Sequence, residues 1–145
     1  MLVHCDFTPR NLMLPPQVAS GGMAVDEIYA MFPNLGERRK SQGSRLSGGE
    51  QQMLAMARIL RTGAQLLLLD EISEGLAPVI VQKLGEVIRR LKEKGFTIIL
   101  VEQNFRFAAP LADRMDIVEH GRIVAEIRKD ELEMKQELLH EYLGV

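Results

Sequence analysis

Apolar positions along the chain fall into helical stripes and continuous runs, separated by polar turn-formers. Residues 24–32, AVDEIYAMF, have Ile28, Met31 and Phe32 on one face and predict a short helix ended by Pro33. The following GERRKSQGSR is polar throughout and reads as a loop. Residues 49–61 place Met53, Leu54, Met56, Ala57 and Leu60 at helical spacing, and Thr62 and Gly63 close that helix. Leu66 to Leu69 is an unbroken apolar run, the pattern of a strand buried on both faces. Residues 78–94 form the longest amphipathic segment. Its stripe is Ile80, Leu84, Val87, Ile88 and Leu91, with Pro78 in the first turn and Gly95 at the end. FTIILV, residues 96–101, reads as a second buried strand. Residues 104–112 suggest a short helix interrupted near Pro110. Met115 to Glu119 and Arg122 to Arg128 suggest strands joined through His120 and Gly121 as a hairpin. A charged amphipathic helix is expected over 130–143, whereas 1–22, rich in Pro and Gly, reads as irregular.

Strand and helix in alternation predict an α/β fold with parallel units, and the hairpin is expected to add an antiparallel edge. The 145 residues suit one domain, and 46% apolar side chains suffice for a core. Eighteen basic against 20 acidic residues leave a net charge of −2, so the basic field of a nucleic-acid binder is absent. With no Trp and only Tyr29 and Tyr142, a base-stacking platform is not expected either. The single Cys5 excludes a disulfide framework and a cysteine-rich zinc site, and fits a reducing compartment. No run approaches the length of a membrane span, and MLVHCDFTPRNLML lacks the pattern of a secretory signal.

Two clusters carry candidate chemistry. In LSGGEQQ, residues 46–52, Gly48 and Gly49 open a helix whose free N–H groups and positive dipole end favour an anion, and Ser47 adds a hydroxyl. Taken alone, S-G-G is equally a serine helix cap with a flexible lead-in. In LLLLDE, residues 66–71, an apolar strand delivers Asp70 and Glu71 at its C-terminal end, the edge where open α/β sheets bind ligands. A strand-end Asp suits Mg²⁺ beside a nucleotide, and a neighbouring Glu suits deprotonation of a water. Alone, this too is no more than an acidic turn after a core strand.

Together and in this order, the clusters resemble the signature and Walker B motifs of the ATP-binding-cassette (ABC) ATPases, members of the P-loop NTPase fold. SEGLAP, residues 73–78, falls where that family has its D-loop, and VEQN, residues 101–104, where it has its switch loop. This wording, and the terminal EYLGV, is most similar to ATP-binding subunits of branched-chain amino acid transporters. The resemblance covers about residues 24–145. It implies a partial ABC ATPase fold: a mostly parallel sheet with helices, then a hairpin and a C-terminal helix. It also implies an irregular remnant over 1–23, part of the helical subdomain over 24–63, and the C-terminal part of the core over 64–145.

By the same resemblance, Glu71 is the catalytic base and Gln103 stands in the place of the switch histidine. Ser47, Gly48, Gly49 and Gln51 belong to the ATP-contacting signature, and Asp70 helps bind Mg²⁺. The implied cofactors are ATP and Mg²⁺. The implied partners are a second ATPase subunit and the permease subunits. The chain is then expected in the cytoplasm, peripheral at the inner face of the plasma membrane, touching the membrane only through the permease, with no nucleic acid partner. Residues 24–45 match the family's permease-docking region.

The chain departs from the family in one respect with physical weight. It contains no G-x-x-x-x-G-K-[ST], the loop whose backbone N–H groups and Lys cradle the phosphates. Only 45 residues precede the signature, and FTPRNLML resembles the segment that follows the Q-loop. The expectation is therefore the C-terminal part of a transport ATPase, which alone binds ATP weakly and hydrolyses it negligibly. The alternatives are a non-catalytic half-subunit that caps ATP on an intact partner, and a truncated, inactive product. A chromosome-maintenance ATPase would need long heptads or a DNA-binding surface, and neither is present.

Overall fold

A computed structural model describes residues 21–42, 45–131 and 134. The expected helix over 130–143 therefore lies outside the described residues except at its start, as does nearly all of the N-terminal stretch. Helix α1 (Val25–Met31) is followed at once by α2 (Pro33–Glu37), then α3 (Gly48–Leu60), strand β1 (Leu66–Asp70), α4 (Pro78–Glu93), β2 (Thr97–Val101) and α5 (Phe105–Ala108). Strands β3 (Arg114–Glu119) and β4 (Arg122–Arg128) and a 3₁₀ turn over Lys129–Glu131 complete the series.

Helix α2 was not expected. Pro33 does end α1, but it is also the first residue of a new helix, where its fixed φ and missing N–H cost nothing. The turn buries Leu35 completely and takes Gly36 and Glu37 out of the predicted loop.

One core cluster joins α1, α2, α3 and α4 to one face of the parallel pair. On α4 the buried side chains are Leu84, Val87, Ile88 and Leu91, with Ile80 half-buried at the N-terminal end. Gly95 stops the helix with a φ of 88°, a conformation that glycine adopts without strain. Arg61, at the end of α3 and 2% exposed, donates from Nη1 to the Met23 carbonyl at 3.1 Å. That bond fastens the lead-in of α1 to the end of α3.

Strands β1 and β2 pair in parallel, Leu66 opposite Thr97 through Asp70 opposite Val101. This register puts Leu67, Leu69, Ile98 and Leu100 on the core face. The expectation of strands buried on both faces is corrected here. Leu66 and Leu68 are 52% and 68% exposed, and Ile99 and Val101 are 52% and 56% exposed. The described helices cover only one face of the pair.

The hairpin forms as expected but does not extend the parallel sheet. Among the described residues, β3 and β4 make their own antiparallel two-stranded sheet. His120 and Gly121 occupy its two-residue turn with φ of 48° and 74°, the positive values that a type I′ turn demands. His120 is thus a turn residue.

Candidate functional site

Both strands of the parallel pair end at the same edge, and the candidate chemistry gathers there. The register sets Asp70 beside Val101, so the residues that follow, Glu71–Gly75 and Glu102–Asn104, form two facing loops. Glu71 continues the ladder by donating its N–H to the Val101 carbonyl at 2.9 Å. It then turns sharply, with a φ of 46°, sparsely populated for a residue with a side chain. Such strain persists where the surroundings fix it, and it is concentrated at functional sites. The turn aims the Glu71 carboxylate at the opposite loop, where Gln103 Nε2 donates to Glu71 Oε1 at 2.6 Å.

The Glu71–Gln103 pair borders a cleft of about 270 Å³ lined by Glu71, Ser73, Glu74, Glu102, Gln103 and Asn104. Its charge is strongly negative. A hydrogen bond with Glu71 raises the Glu74 carboxyl above the ordinary carboxylate range, reinforced by the charge of Glu71, by burial and by the charge of Glu102.

Across the same cleft, Glu102 accepts from Ser73 twice: the N–H reaches Oε1 and the hydroxyl reaches Oε2, each at 2.9 Å. Ser73 is only 7% exposed, a buried polar side chain whose demand Glu102 meets. The sequence offers Ser73, Glu74 and Glu102 only as loop wording. Nothing in their spacing announces that residues 29 positions apart close on one another.

The glycine-bearing cluster lies at the N-terminus of α3. Ser47 caps the helix: its hydroxyl accepts from Glu50 N at 3.3 Å and donates to Glu50 Oε2 at 2.9 Å, while Ser47 N donates to that same oxygen at 2.9 Å. The serine-cap reading of S-G-G is thus part of the structure. The Ser47 backbone N–H pulls the Glu50 carboxyl below its ordinary value against the effect of burial, helped by the Ser47 hydroxyl and by Arg38 at 3.5 Å. An anion arriving at this helix end would compete with the Glu50 carboxylate. Gln51 folds back, Nε2 donating to the Leu46 carbonyl at 3.1 Å. It braces the loop.

Helix α3 starts against the loop after β1. A Cβ on Gly48 would stand 3.5 Å from Leu76 Cδ2, and one on Gly49 would collide with Ile80. The structure therefore brings Glu71 and Gln103 into direct contact. It seats Ser47, Gly48, Gly49 and Gln51 on a neighbouring element that meets this loop through Leu76 and Ile80.

Asp70 is exposed at the tip of β1. Among the described residues there is no group of three or more His, Cys, Asp and Glu side chains placed to hold a metal. A lone strand-end carboxylate nevertheless fits Mg²⁺, which keeps several waters and takes its remaining ligands from substrate phosphates. Among the described residues no helix is long and apolar enough to cross a membrane.

Comparison with known proteins bears on these loops. The ABC transporter family matches residues 17–74. The high-affinity branched-chain amino acid transport ATP-binding protein BraG of Pseudomonas aeruginosa is 50% identical over 100 residues, 69% of this chain and 43% of BraG. The arginine transport ATP-binding protein ArtM of Bacillus subtilis is 35% identical over 124 residues, 86% of this chain and 51% of ArtM. The chain thus spans about half the length of these relatives. Among solved structures, a nucleotide-free ATP-binding cassette from an ABC transporter superposes with a TM-score of 0.70 at 26% identity, over 78% of this chain and 44% of that one. The ADP conformation of another such cassette gives 0.70 at 24% identity, over 82% and 48%.

Proposed function

Because this chain matches the ABC transporter family over residues 17–74 and has the fold of part of an ATP-binding cassette, we propose that it is the C-terminal part of an ATP-binding subunit that energises membrane transport, with branched-chain amino acids as cargo. The observation that carries the reading is the Glu71–Gln103 contact at the C-terminal edge of the parallel pair. The cargo assignment rests on the likeness to BraG and on the SEGLAP and VEQN wording.

In this reading residues 24–63 are part of the helical subdomain and 64–145 the C-terminal part of the core. Glu71 takes a proton from the attacking water, and its strained backbone holds the carboxylate at the sheet edge. The Gln103 amide donates to Glu71 in the resting site, and the same N–H groups suit a phosphate oxygen. Asp70 would hold Mg²⁺, which would neutralise phosphate charge when bound. Ser47, Gly48 and Gly49 would meet the nucleotide of a second subunit, with Gln51 bracing the loop behind them. The Ser47 hydroxyl must then exchange Glu50 for phosphate. The partners in this reading are a second ATPase subunit and permease subunits, on the cytoplasmic side of the membrane.

The phosphate-cradling loop is not in this chain, so Glu71 and Gln103 have nothing here to hold the nucleotide against them. The chain alone should accordingly show no turnover. The test supplies that loop from a relative, replacing the matching stretch of BraG with residues 24–145 of this chain. The hybrid should hydrolyse ATP, and Glu71→Gln should abolish turnover. A folded hybrid that is inactive, or one indifferent to Glu71→Gln, would overturn the proposal.

A further inference from the structure

Three carboxylates, Glu71, Glu74 and Glu102, line one cleft together with the side-chain amide of Gln103. Gln103 is exposed, so packing does not choose which of them it meets. Glu102 adjoins Gln103 in sequence, yet the amide crosses to Glu71 in the opposite loop. The reason lies in what Glu102 already holds. Both of its oxygens are turned onto Ser73, one accepting from the N–H and one from the hydroxyl, which orients the carboxylate away from the Gln103 amide's bond to Glu71.

We propose that Glu102 is a positioning residue: by gripping Ser73 with both oxygens, it locks the loop after β1 to the loop after β2 and leaves Glu71 as the acceptor for Gln103. This rests on the reading of Glu71 as the base, and it adds the device that sets where Gln103 points. Three properties support it. The grip is bidentate and made by a charged acceptor, the strong kind of hydrogen bond. It spans 29 residues of sequence, so it joins elements that no local turn would hold together. It also lies next to the strained Glu71, whose other fastening in the ladder is its N–H bond to Val101. Removing Glu102 would orphan the buried Ser73 groups and free the two loops to separate.

The test needs no nucleotide, so it stands apart from the functional reading. In the full 145-residue chain with ¹⁵N-labelled glutamine, the Gln103 amide protons should exchange at least about tenfold more slowly than those of a solvated glutamine, as a bond to a charged acceptor implies. Glu102→Ala should return them to the solvated rate while the amides of Leu84 and Leu91 in α4 keep their protection. Glu102→Gln should restore slow exchange, because its amide oxygen accepts from Ser73 N–H and its NH₂ donates to a turned Ser73 hydroxyl. If Glu102→Ala unfolds the chain, Ser73→Ala carries the test: it removes the hydroxyl bond alone and should speed exchange several-fold. Unchanged Gln103 exchange in a folded Glu102→Ala, or in Ser73→Ala where the former unfolds, would overturn the proposal.

In the BraG hybrid, Glu102→Ala should lower kcat about tenfold with KM for ATP little changed, the pattern of lost orientation rather than lost binding. An equal kcat would overturn it. A hybrid with no turnover at all, alongside the predicted exchange behaviour, would defeat the functional reading and leave the positioning role standing.

Discussion

Gly49 is the position where the structure makes the sharpest demand on a single atom. A Cβ there would collide with Ile80 Cγ2 and would lie 3.2 Å from Cγ1 and 3.3 Å from Cβ of the same residue. Ile80 cannot swing clear, because it is β-branched and sits in the first turn of α4, and its Cβ is fixed by the backbone. Gly49→Ala must therefore push α3 and α4 apart where they meet. Overpacking of this kind costs about 1–3 kcal/mol, against a gain of up to ~1 kcal/mol from alanine's helix propensity. Gly48→Ala is the internal control: it has the same chemistry one residue earlier, but its Cβ would make only an ordinary contact with Leu76 Cδ2 at 3.5 Å. Gly49→Ala should thus be less stable than Gly48→Ala by about 1–3 kcal/mol, a melting temperature roughly 2–12 °C lower for a chain of this size. Thermal and urea unfolding measure both. Adding Ile80→Ala should recover part of the loss, with a coupling energy of roughly 0.5–3 kcal/mol. Equal stability of the two glycine variants would refute the claim that this glycine is required by helix approach.

Other consequences follow from the same geometry. Ser47→Ala removes the cap of α3 and should cost about 0.5–2 kcal/mol by urea unfolding. Because Glu50 is held below its ordinary value, its contribution is present above the ordinary carboxylate range and lost as pH falls through the depressed value, so the difference between Ser47→Ala and the parent should shrink in acid. Glu74→Gln should raise the melting temperature at neutral pH. The Glu74 carboxyl is raised because its hydrogen bond with Glu71 favours the protonated form and the charges of Glu71 and Glu102 oppose the ionised one; an amide keeps a donor without that charge, and the advantage should close as pH falls and Glu74 takes up its proton. Leu68→Lys, on the exposed face of β1, should leave the melting temperature unchanged in thermal unfolding, because a side chain 68% exposed contributes little to the core.

Much of the architecture is legible in the sequence because it is periodic. The stripe on α4 and the two apolar runs need only local spacing to be read, and the His120–Gly121 turn is set by the positive φ of both residues. Other features depend on relations that spacing does not carry. Pro33 reads as a terminator because proline cannot continue a helix, but the same chemistry lets it start the next one. Leu66 and Leu68 read as core, yet what covers a strand face is decided by other elements. At the site, Asp70 and Glu71 are announced by the strand that delivers them. The Glu71–Gln103 contact and the Ser73–Glu102 grip arise only when parallel pairing brings two loops together. The cap at Ser47 was visible as an alternative reading of S-G-G, and the structure displays it.

The central claim is that this chain carries the water-activating half of an ATPase site without the phosphate cradle. Steady-state release of phosphate from Mg-ATP by the purified 145-residue chain tests it most directly. The account predicts no turnover above background, with or without Glu71→Gln. Turnover at an ordinary enzyme rate, about 1–10³ s⁻¹, that disappears in Glu71→Gln would contradict it.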